Sequence, residues 1–389
     1  MIILDFGKLL KTTLKIGNDI MDRIILNLII KKISEDIFRE ICVLVDLSLI
    51  GDVLVSLPYY HRLFLGSKGK IGLSIISNYT TAYIFNKMGF DVIPIDFKQF
   101  MYNPLYRMRL IRKIGKVKYV AISHPNRTEE MEEVCLKLLS KYKIVYEGEA
   151  IYERFKKKKN LKNFSYIIPN PYCHGIVHIS RHLKVVFSSI SSILNLGDLS
   201  FQIGKEDFFA LYRKFFSNSK TWLSNNYIVI LPDASVPYRR YSQAKWQKVI
   251  NSIPKNMRII QLGLRIFPLE HPNLIDLTGK TSLKEAIPIV MNASLVIGNE
   301  TGLTHLAYLS GVPTVCILGG GHFGRFLPWP EFDDIVKCVY KPMDCFQCGW
   351  RCKYVNLRKG EVPPCISQIS PDNVLEAIEE LDKEYKIFS

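Results

Sequence analysis

Three groups of residues in this sequence have the types and spacing to do chemistry. The first is Val296-Ile297-Gly298-Asn299-Glu300-Thr301-Gly302-Leu303-Thr304-His305, where an apolar strand over Ala293 to Ile297 passes through a glycine turn into a helix. Leu303, Leu306, Ala307 and Leu309 fall on the apolar positions of that helix, and Gly311 and Pro313 close it. A second strand, Thr314 to Leu318, then ends in Gly319-Gly320-Gly321. Such a unit is a right-handed crossover between parallel strands. Its helix N-terminus presents free backbone N–H groups to an anion. Thr301 and Thr304 add hydroxyl donors, Gly302 lets a phosphate approach the backbone, and a diphosphate-bearing ligand is the natural occupant. Glycine at a strand–helix turn also serves plain geometry, so the segment gains force only from its surroundings.

The second group is Cys345-x2-Cys348-x3-Cys352-x12-Cys365, in a loop that also carries Gly349, Gly360, Pro363 and Pro364. Four thiols at this spacing suit a tetrahedral sulfur site for zinc or iron. A site with every position filled by thiolate is closed, so its work would be structural. Buried free cysteines are the plainer alternative. Cys173, His174, His178 and His182 form a third cluster, with the histidines at i, i+4 and i+8 on one helical face. No carboxylate accompanies them at matching spacing, which favours packing or an acceptor-side role over metal binding.

The elements that must position these groups follow a repeated pattern. Strand candidates at Ile41–Asp46, Ile71–Ile76, Val92–Ile95 and Tyr119–Ser123 alternate with helical patterns from Val53 to Leu65, at Thr80–Met88 and at Arg107–Ile114. Helical patterns fill Tyr172–Leu196 and Lys205–Leu223. A fresh series then starts at Tyr227–Leu231 and continues through a helix at Gln243–Ile253, a strand at Arg258–Leu262 and a helix at Leu283–Met291. This predicts an α/β chain with two mainly parallel sheets, one over 41–220 and one over 221–389. Open parallel sheets bind ligands beyond the carboxyl ends of their strands, and two such domains facing each other create a cleft. Residues 1–40 read as an amphipathic helical segment that packs on the first domain or lies on a membrane.

Composition narrows the partners. The 389 residues are 48% apolar, enough for a sizeable core, and no apolar run approaches the length needed to span a bilayer. No signal-peptide layout is present, which reads as a cytoplasmic protein, and the nine cysteines then suggest reduced thiols or metal ligation. The formal charge of +16 is unevenly spread. Lys98, Arg107, Arg109, Arg112, Lys113, Lys116, Lys118 and Arg127 lie in a stretch from 97 to 128 without one acid, and Lys156 to Lys159 form a second block. Such patches attract anionic partners, and a phospholipid or phosphorylated glycolipid fits better than nucleic acid, for which no motif is present.

Four segments in order carry a resemblance that spans most of the chain. Leu47-Ser48-Leu49-Ile50-Gly51-Asp52-Val53-Leu54 is similar to an S-x-x-G-D-x-L loop, and Leu231-Pro232-Asp233-Ala234-Ser235 with Arg239-Arg240-Tyr241-Ser242 and Lys245-Trp246 to a P-G-A-S … K-R-W-P segment. Leu277-Thr278-Gly279-Lys280-Thr281-Ser282-Leu283 matches L-T-G-x-T-S-L, and the opening segment matches N-D-T-G-L-x-H-L-A. Together they resemble glycosyltransferase family 9, the heptosyltransferase-like enzymes. The resemblance implies the GT-B fold: two Rossmann-like domains with parallel sheets facing a central cleft. It implies an inverting transfer of a sugar, a heptose, from a nucleotide-sugar donor, ADP-heptose, to a lipopolysaccharide-core or related glycan hydroxyl. The run Gly319-Gly320-Gly321-His322-Phe323-Gly324-Arg325-Phe326 and the four cysteines resemble the branch of autotransporter heptosyltransferases, which glycosylate protein and hold iron in a four-cysteine finger. A protein hydroxyl is therefore an alternative acceptor, and a catalytically silent sugar-nucleotide-binding scaffold is a third reading.

Each matched residue also has a physical reading. Asp52 follows a strand in a glycine turn, where a carboxylate could take a proton from an acceptor hydroxyl attacking a sugar carbon; its plainer use is to cap the helix at Val53. Arg239 and Arg240 supply fixed positive charge for a departing diphosphate, so no catalytic metal is expected, and a surface ion pair is their alternative. Ser235 and Thr278 offer hydroxyls to phosphate or ribose. Gly279, Glu300, Thr301, Gly302, Leu303 and His305 complete the donor side that the resemblance implies. Glu300 stands where the family usually has Asp, which re-spaces contacts to the sugar, and Asp233 stands where Gly is common and could restrict the turn before Ser235. Peripheral contact with the inner membrane face would bring the basic stretch to an anionic glycolipid.

Overall fold

The computed structural model describes residues 37–149, 161–172, 175–216, 226–265 and 267–388. In chain order the first half holds β1 (Arg39–Asp46), α1 (Ile50–Ser67), β2 (Gly72–Asn78), α2 (Tyr79–Lys87), β3 (Asp91–Ile95), α3 (Phe97–Tyr102), α4 (Pro104–Ile114), β4 (Val117–Ile122), α5 (Glu129–Lys137), β5 (Ser140–Tyr146), β6 (Tyr166–Ile168), α6 (Ile179–Ile193) and α7 (Lys205–Phe216). The second half holds β7 (Tyr227–Leu231), α8 (Gln243–Asn251), β8 (Arg258–Gln261), β9 (Leu274–Asp276), α9 (Leu283–Met291), β10 (Leu295–Asn299), α10 (Gly302–Leu309), β11 (Thr314–Ile317), β12 (Val336–Val339), α11 (Pro364–Ser367) and α12 (Pro371–Tyr385). The strands form two six-stranded sheets, ordered β3-β2-β1-β4-β5-β6 and β12-β11-β10-β7-β8-β9, and every pairing is parallel. Counted from the first strand of each half, both sheets have the Rossmann order, with switch points at β1/β4 and β7/β10.

The central strands are apolar on both faces because both faces are covered. In β1, Cys42 and Leu44 enter one core while Val43 and Val45 enter another on the opposite face. In β7, Val229 and Leu231 join the same core as Cys42 and Leu44, and Ile228 and Ile230 face a third. One apolar core therefore runs between the two sheets, filled by residues of α1, α6, α7 and α10 such as Leu57, Phe187, Phe208 and Leu306.

Several predicted bounds shift. The predicted helical segment 1–40 lies outside the described residues except at its end, where Arg39 and Glu40 open β1: Arg39 N–H donates to the Lys116 carbonyl at 3.0 Å, and strand pairing wins over helical spacing. The helix predicted from Tyr172 begins at Ile179, with His178 as its N-cap. His178 and His182 thus do not share a helical face, and Cys173 and His174 lie outside the described residues. The position 220 proposed as a domain boundary also lies outside them. The acid-free stretch is not uniformly a basic surface. Arg107 is buried and donates to the carbonyls of Phe100 and Met101, Arg127 pairs with Glu132 at 2.7 Å, and Lys118 with Glu40 at 2.9 Å. Lys98, Arg109, Arg112 and Lys113 are exposed along α3 and α4.

Candidate active site

The loops after β1 and β4 are pinned before they can present anything. Asp46, fully buried at the end of β1, accepts from Ser48 N–H at 2.8 Å and from the Tyr60 hydroxyl at 2.6 Å. Tyr60 also bonds Ser123, at the end of β4, at 2.6 Å. With Tyr60 donating to the carboxylate, Ser123 donates to Tyr60, and the two switch-point loops are tied together. Asn78 at the end of β2 adds a bond to the Ser48 carbonyl at 2.9 Å.

Asp52 and His124 stand on these loops. Asp52 lies in the first turn of α1, whose N-cap is Leu49, so its side chain is not the cap. Its Oδ1 is 3.5 Å from Arg325 Nη1 and 3.8 Å from His124 Nε2. Arg325 reaches this point from the C-terminal half and is also gripped by Glu149, with Nε and Nη2 donating to the two carboxylate oxygens at 2.8 and 2.6 Å. Arg325 and Glu149 are both buried. Burial pushes the Glu149 carboxyl up, but the charge and hydrogen bonds of Arg325, aided by His182 and His124, outweigh it and leave Glu149 below the ordinary range. The backbone carbonyl of Arg325 accepts from Ile179 N–H at 2.8 Å, which anchors the start of α6.

Two helix N-termini meet across the cleft. A Cβ on Gly302 would lie 3.0 Å from Ile50 Cγ2 and 3.1 Å from Gly51 N, and one on Gly51 would lie 3.1 Å from His305 Cδ2. The close approach that Gly302 permits is thus to α1. The hydroxyls of Thr301 and Thr304 bond each other at 3.1 Å, and Thr304 donates to the Asn299 carbonyl at 2.6 Å. Thr304, expected to donate to a ligand, spends its proton inside the turn. Leu303 is half-buried beside it. His305 bonds Tyr308 at 3.0 Å, packs against Phe326, and is held neutral by burial, its pKa lowered to about 3.

The remaining residues expected on the donor side divide into bound and open. Arg240 donates to the Ala234 carbonyl at 3.2 and 3.0 Å and pairs with Asp233 at 3.1 Å, so it braces its own turn. Asp233 also accepts from Ala234 N–H at 2.8 Å and from Leu264 and Arg265 N–H at 3.3 and 3.2 Å, knitting the loops after β7 and β8. Thr278 accepts from Gln261 at 3.1 Å, and Gly279 takes φ +69° in the adjoining turn, with its N–H on Gly263. Ser235 is exposed at the rim. Asn299 joins β10 to the β7 loop through Pro232 and Tyr241. Among the polar atoms buried without a hydrogen-bond partner here are Glu300 Oε2, Arg239 Nε and His124 Nε2. Burial raises the Glu300 carboxyl, opposed by Arg239 and Arg325 and reinforced by Asp52. Orphaned polar atoms of this kind mark a place that a polar ligand completes.

Residues 197–354 match the model of glycosyltransferase family 9 (heptosyltransferase). Over those residues the chain is similar to that family. The fold agrees. The glycosyl transferase family 9 structure from Veillonella parvula DSM 2008 superimposes with a TM-score of 0.59 at 16% identity, covering 90% of this chain and 99% of that one. E. coli heptosyltransferase WaaC with ADP gives 0.59 at 15% identity, covering 90% and 100%. E. coli ADP-heptose lps heptosyltransferase II gives 0.58 at 14%, covering 89% and 99%. No curated protein sequence matches.

The cysteine loop sits directly on the glycine run. Cys345, Cys348, Cys352 and Cys365 line one cavity together with Gly320, Gly321 and Trp350. Gln347 and Gly349 donate backbone N–H bonds to the carbonyls of Gly320 and Gly321 at 2.8 and 2.9 Å, and Gly320 N–H points at Cys365 Sγ at 3.4 Å. Side chains on Gly319, Gly320 or Gly321 would run into Trp350 and Phe346, which explains the three glycines. The donor set suits a soft metal. As placed, no three His, Cys, Asp or Glu side chains among the described residues gather closely enough to hold one. Trp350 carries the Arg239 guanidinium over its ring at 4.9 Å, and Arg239 Nη2 lies 3.4 Å from His322 Nδ1.

His124, Glu149, Arg325 and Trp350 were not singled out as site residues in the sequence. His124 had a usable signal, since it follows a strand that flanks the first switch point. Glu149 had none, because its role depends on an arginine from the other half.

Proposed function

We propose that this glycosyltransferase moves a heptose from ADP-heptose to a hydroxyl of a lipopolysaccharide core or related glycan, with inversion. Asp52 takes the hydroxyl proton while the oxygen bonds to the anomeric carbon and the diphosphate departs with the electrons of the broken C–O bond. Arg239 meets the charge that develops on the diphosphate, and Glu300 meets the sugar. One observation carries this reading: Asp52 stands at the first switch point, facing across the cleft two donor-side groups, Glu300 and Arg239, that each bury an atom without a hydrogen-bond partner. The named partners of similar structures, ADP in WaaC and ADP-heptose in heptosyltransferase II, support the choice of donor. Exposed Lys98, Arg109, Arg112 and Lys113 favour an anionic acceptor at a membrane face. Among the described residues no helix is long and apolar enough to cross a membrane, which suits a cytoplasmic enzyme that touches the membrane peripherally.

We also assign Cys345, Cys348, Cys352 and Cys365 to a structural iron or zinc, supported by the cavity they share. The four-cysteine resemblance keeps a protein hydroxyl as the second acceptor. The deciding experiment incubates purified protein with ADP-heptose and either lipopolysaccharide core or an autotransporter passenger domain, and weighs the products. Heptose on the core bears out the main reading, and heptose on the passenger domain bears out the second. Selective binding of GDP- or UDP-sugars in calorimetry would discard ADP-heptose. Metal analysis of the wild type and a Cys348→Ser variant tests the cysteine site independently, since stoichiometric metal should vanish in the variant.

A further inference from the structure

The His124 side chain is oriented by one bond and left open at the other. It is fully buried, and its Nδ1 accepts the backbone N–H of Asn126 at 3.1 Å. A nitrogen that accepts carries no proton, so the neutral ring bears its proton on Nε2. That Nε2–H has no hydrogen-bond partner, although a buried donor left unmade is costly. It faces Asp52 Oδ1 at 3.8 Å, too far for a direct bond. Two hydrogen bonds of about 2.7–2.8 Å each, meeting at one oxygen near a right angle, span that distance.

We infer that the acceptor hydroxyl binds between His124 Nε2 and Asp52 Oδ1, with His124 donating to its oxygen while Asp52 receives its proton. The inference rests on Asp52 being the base of the proposed transfer. His124 keeps its proton throughout. The hydroxyl proton passes to Asp52, the oxygen bonds to the anomeric carbon, and the diphosphate leaves with the electrons of the broken bond. The Nε2–H aims one oxygen lone pair away from the sugar, leaves another directed at it, and stabilises the negative charge that grows on oxygen as its proton departs. The ties from Tyr60 to Asp46 and Ser123 fix the spacing of the two groups.

Two amide substitutions separate the two ends of the ring. His124→Asn keeps an acceptor near Nδ1 for Asn126 and removes the Nε2 donor. His124→Gln keeps a donor near Nε2. The probe is ADP-heptose in buffer, with water as acceptor and ADP release as the readout, beside calorimetry with ADP. The Asn variant should release ADP about 10- to 100-fold more slowly with ADP affinity unchanged, and the Gln variant should recover most of that loss. Equal loss in both variants, or no loss in either, overturns the inference. Wild-type turnover that survives Asp52→Asn overturns the Asp52 reading instead, so the two failures are distinguishable. Nitrogen-15 NMR of the imidazole gives an answer that needs no turnover: a proton on Nδ1 of His124 overturns the assignment.

Discussion

The N-terminal half pins the loops after β1 and β4 with an Asp46–Tyr60–Ser123 chain, and what those loops then present is a carboxylate and a proton donor, Asp52 and His124. In the C-terminal half the loops after β7, β8 and β10 are held by Asp233 and Asn299, and they present a cation, Arg239, and the raised carboxyl of Glu300. Strand order is the same in both halves. The sheets supply equivalent switch points, and in the proposed function the loop residues decide which one activates a hydroxyl and which receives a diphosphate. Arg325 crosses between them, reaching from the cationic half to Glu149 and Asp52.

The largest effect should come from breaking the acidic side. Asp52→Asn keeps the size of the side chain and removes the proposed base, so the rate of transfer should fall by about 10²–10⁴ while ADP binding in calorimetry is unchanged. A matched loss of ADP binding would instead make Asp52 part of the donor site and erase the division between the halves.

Next comes the bridge. Arg325→Met strands Glu149 as a buried unpaired carboxylate and should cost about 3–5 kcal/mol in chemical unfolding. Adding Glu149→Gln should restore most of that stability, because the orphaned charge is gone. The pair also fixes a sign. Glu149 titrates below the ordinary glutamate value of 4.5 in the folded chain, so its contribution is present above that pH and fades as pH falls through the folded value. The stability gap between wild type and the double variant should therefore shrink below about pH 4.5 and hold steady near neutrality.

How much of this was legible in the sequence follows from the range of each interaction. Val229 and Leu231 alternate with Ile228 and Ile230 within one strand, so the strand and its two buried faces could be read locally. The turn at Gly302 was legible as a place of close approach, but not that α1 of the other half makes the approach. The partners of Arg240 and Thr278 sit within their own neighbourhood of loops, yet residue type alone could not say that both would be engaged there. Strands β6, β9 and β12 went unread as edge strands of three or four residues, and β5, an interior strand of seven residues, also went unread. Glu149 and Arg325 are far apart in the chain, and no local pattern joins them.

The cationic side can be weakened from a distance. Trp350→Leu removes the ring beneath Arg239 without touching the cleft, and should weaken ADP binding by about 3- to 30-fold, the worth of a desolvated cation–π contact. If a metal draws the four cysteines together, chelation should produce the same weakening in the wild type and no further weakening in the Leu variant. Weakening by chelation in both would mean the loop acts on the site by some route other than Trp350.

The smallest effect tests one of the two residues that depart from the family pattern. Asp233→Gly removes the acceptor for three backbone N–H groups and the partner of Arg240. The turn loses about 1–2 kcal/mol of stability, since its exposed flank lets water replace part of what is lost. Arg240 is also released to swing toward the diphosphate, so ADP should bind as well or slightly better despite the weaker fold. Opposite signs for stability and affinity would mean that this half spends one of its cations on bracing its own loops, where the acidic half braces with the Asp46 carboxylate and two hydroxyls and keeps both of its reactive groups free. Affinity that falls in step with stability would mean instead that Arg240 serves the donor through the turn it braces, and the contrast between the halves would narrow to Arg239 alone.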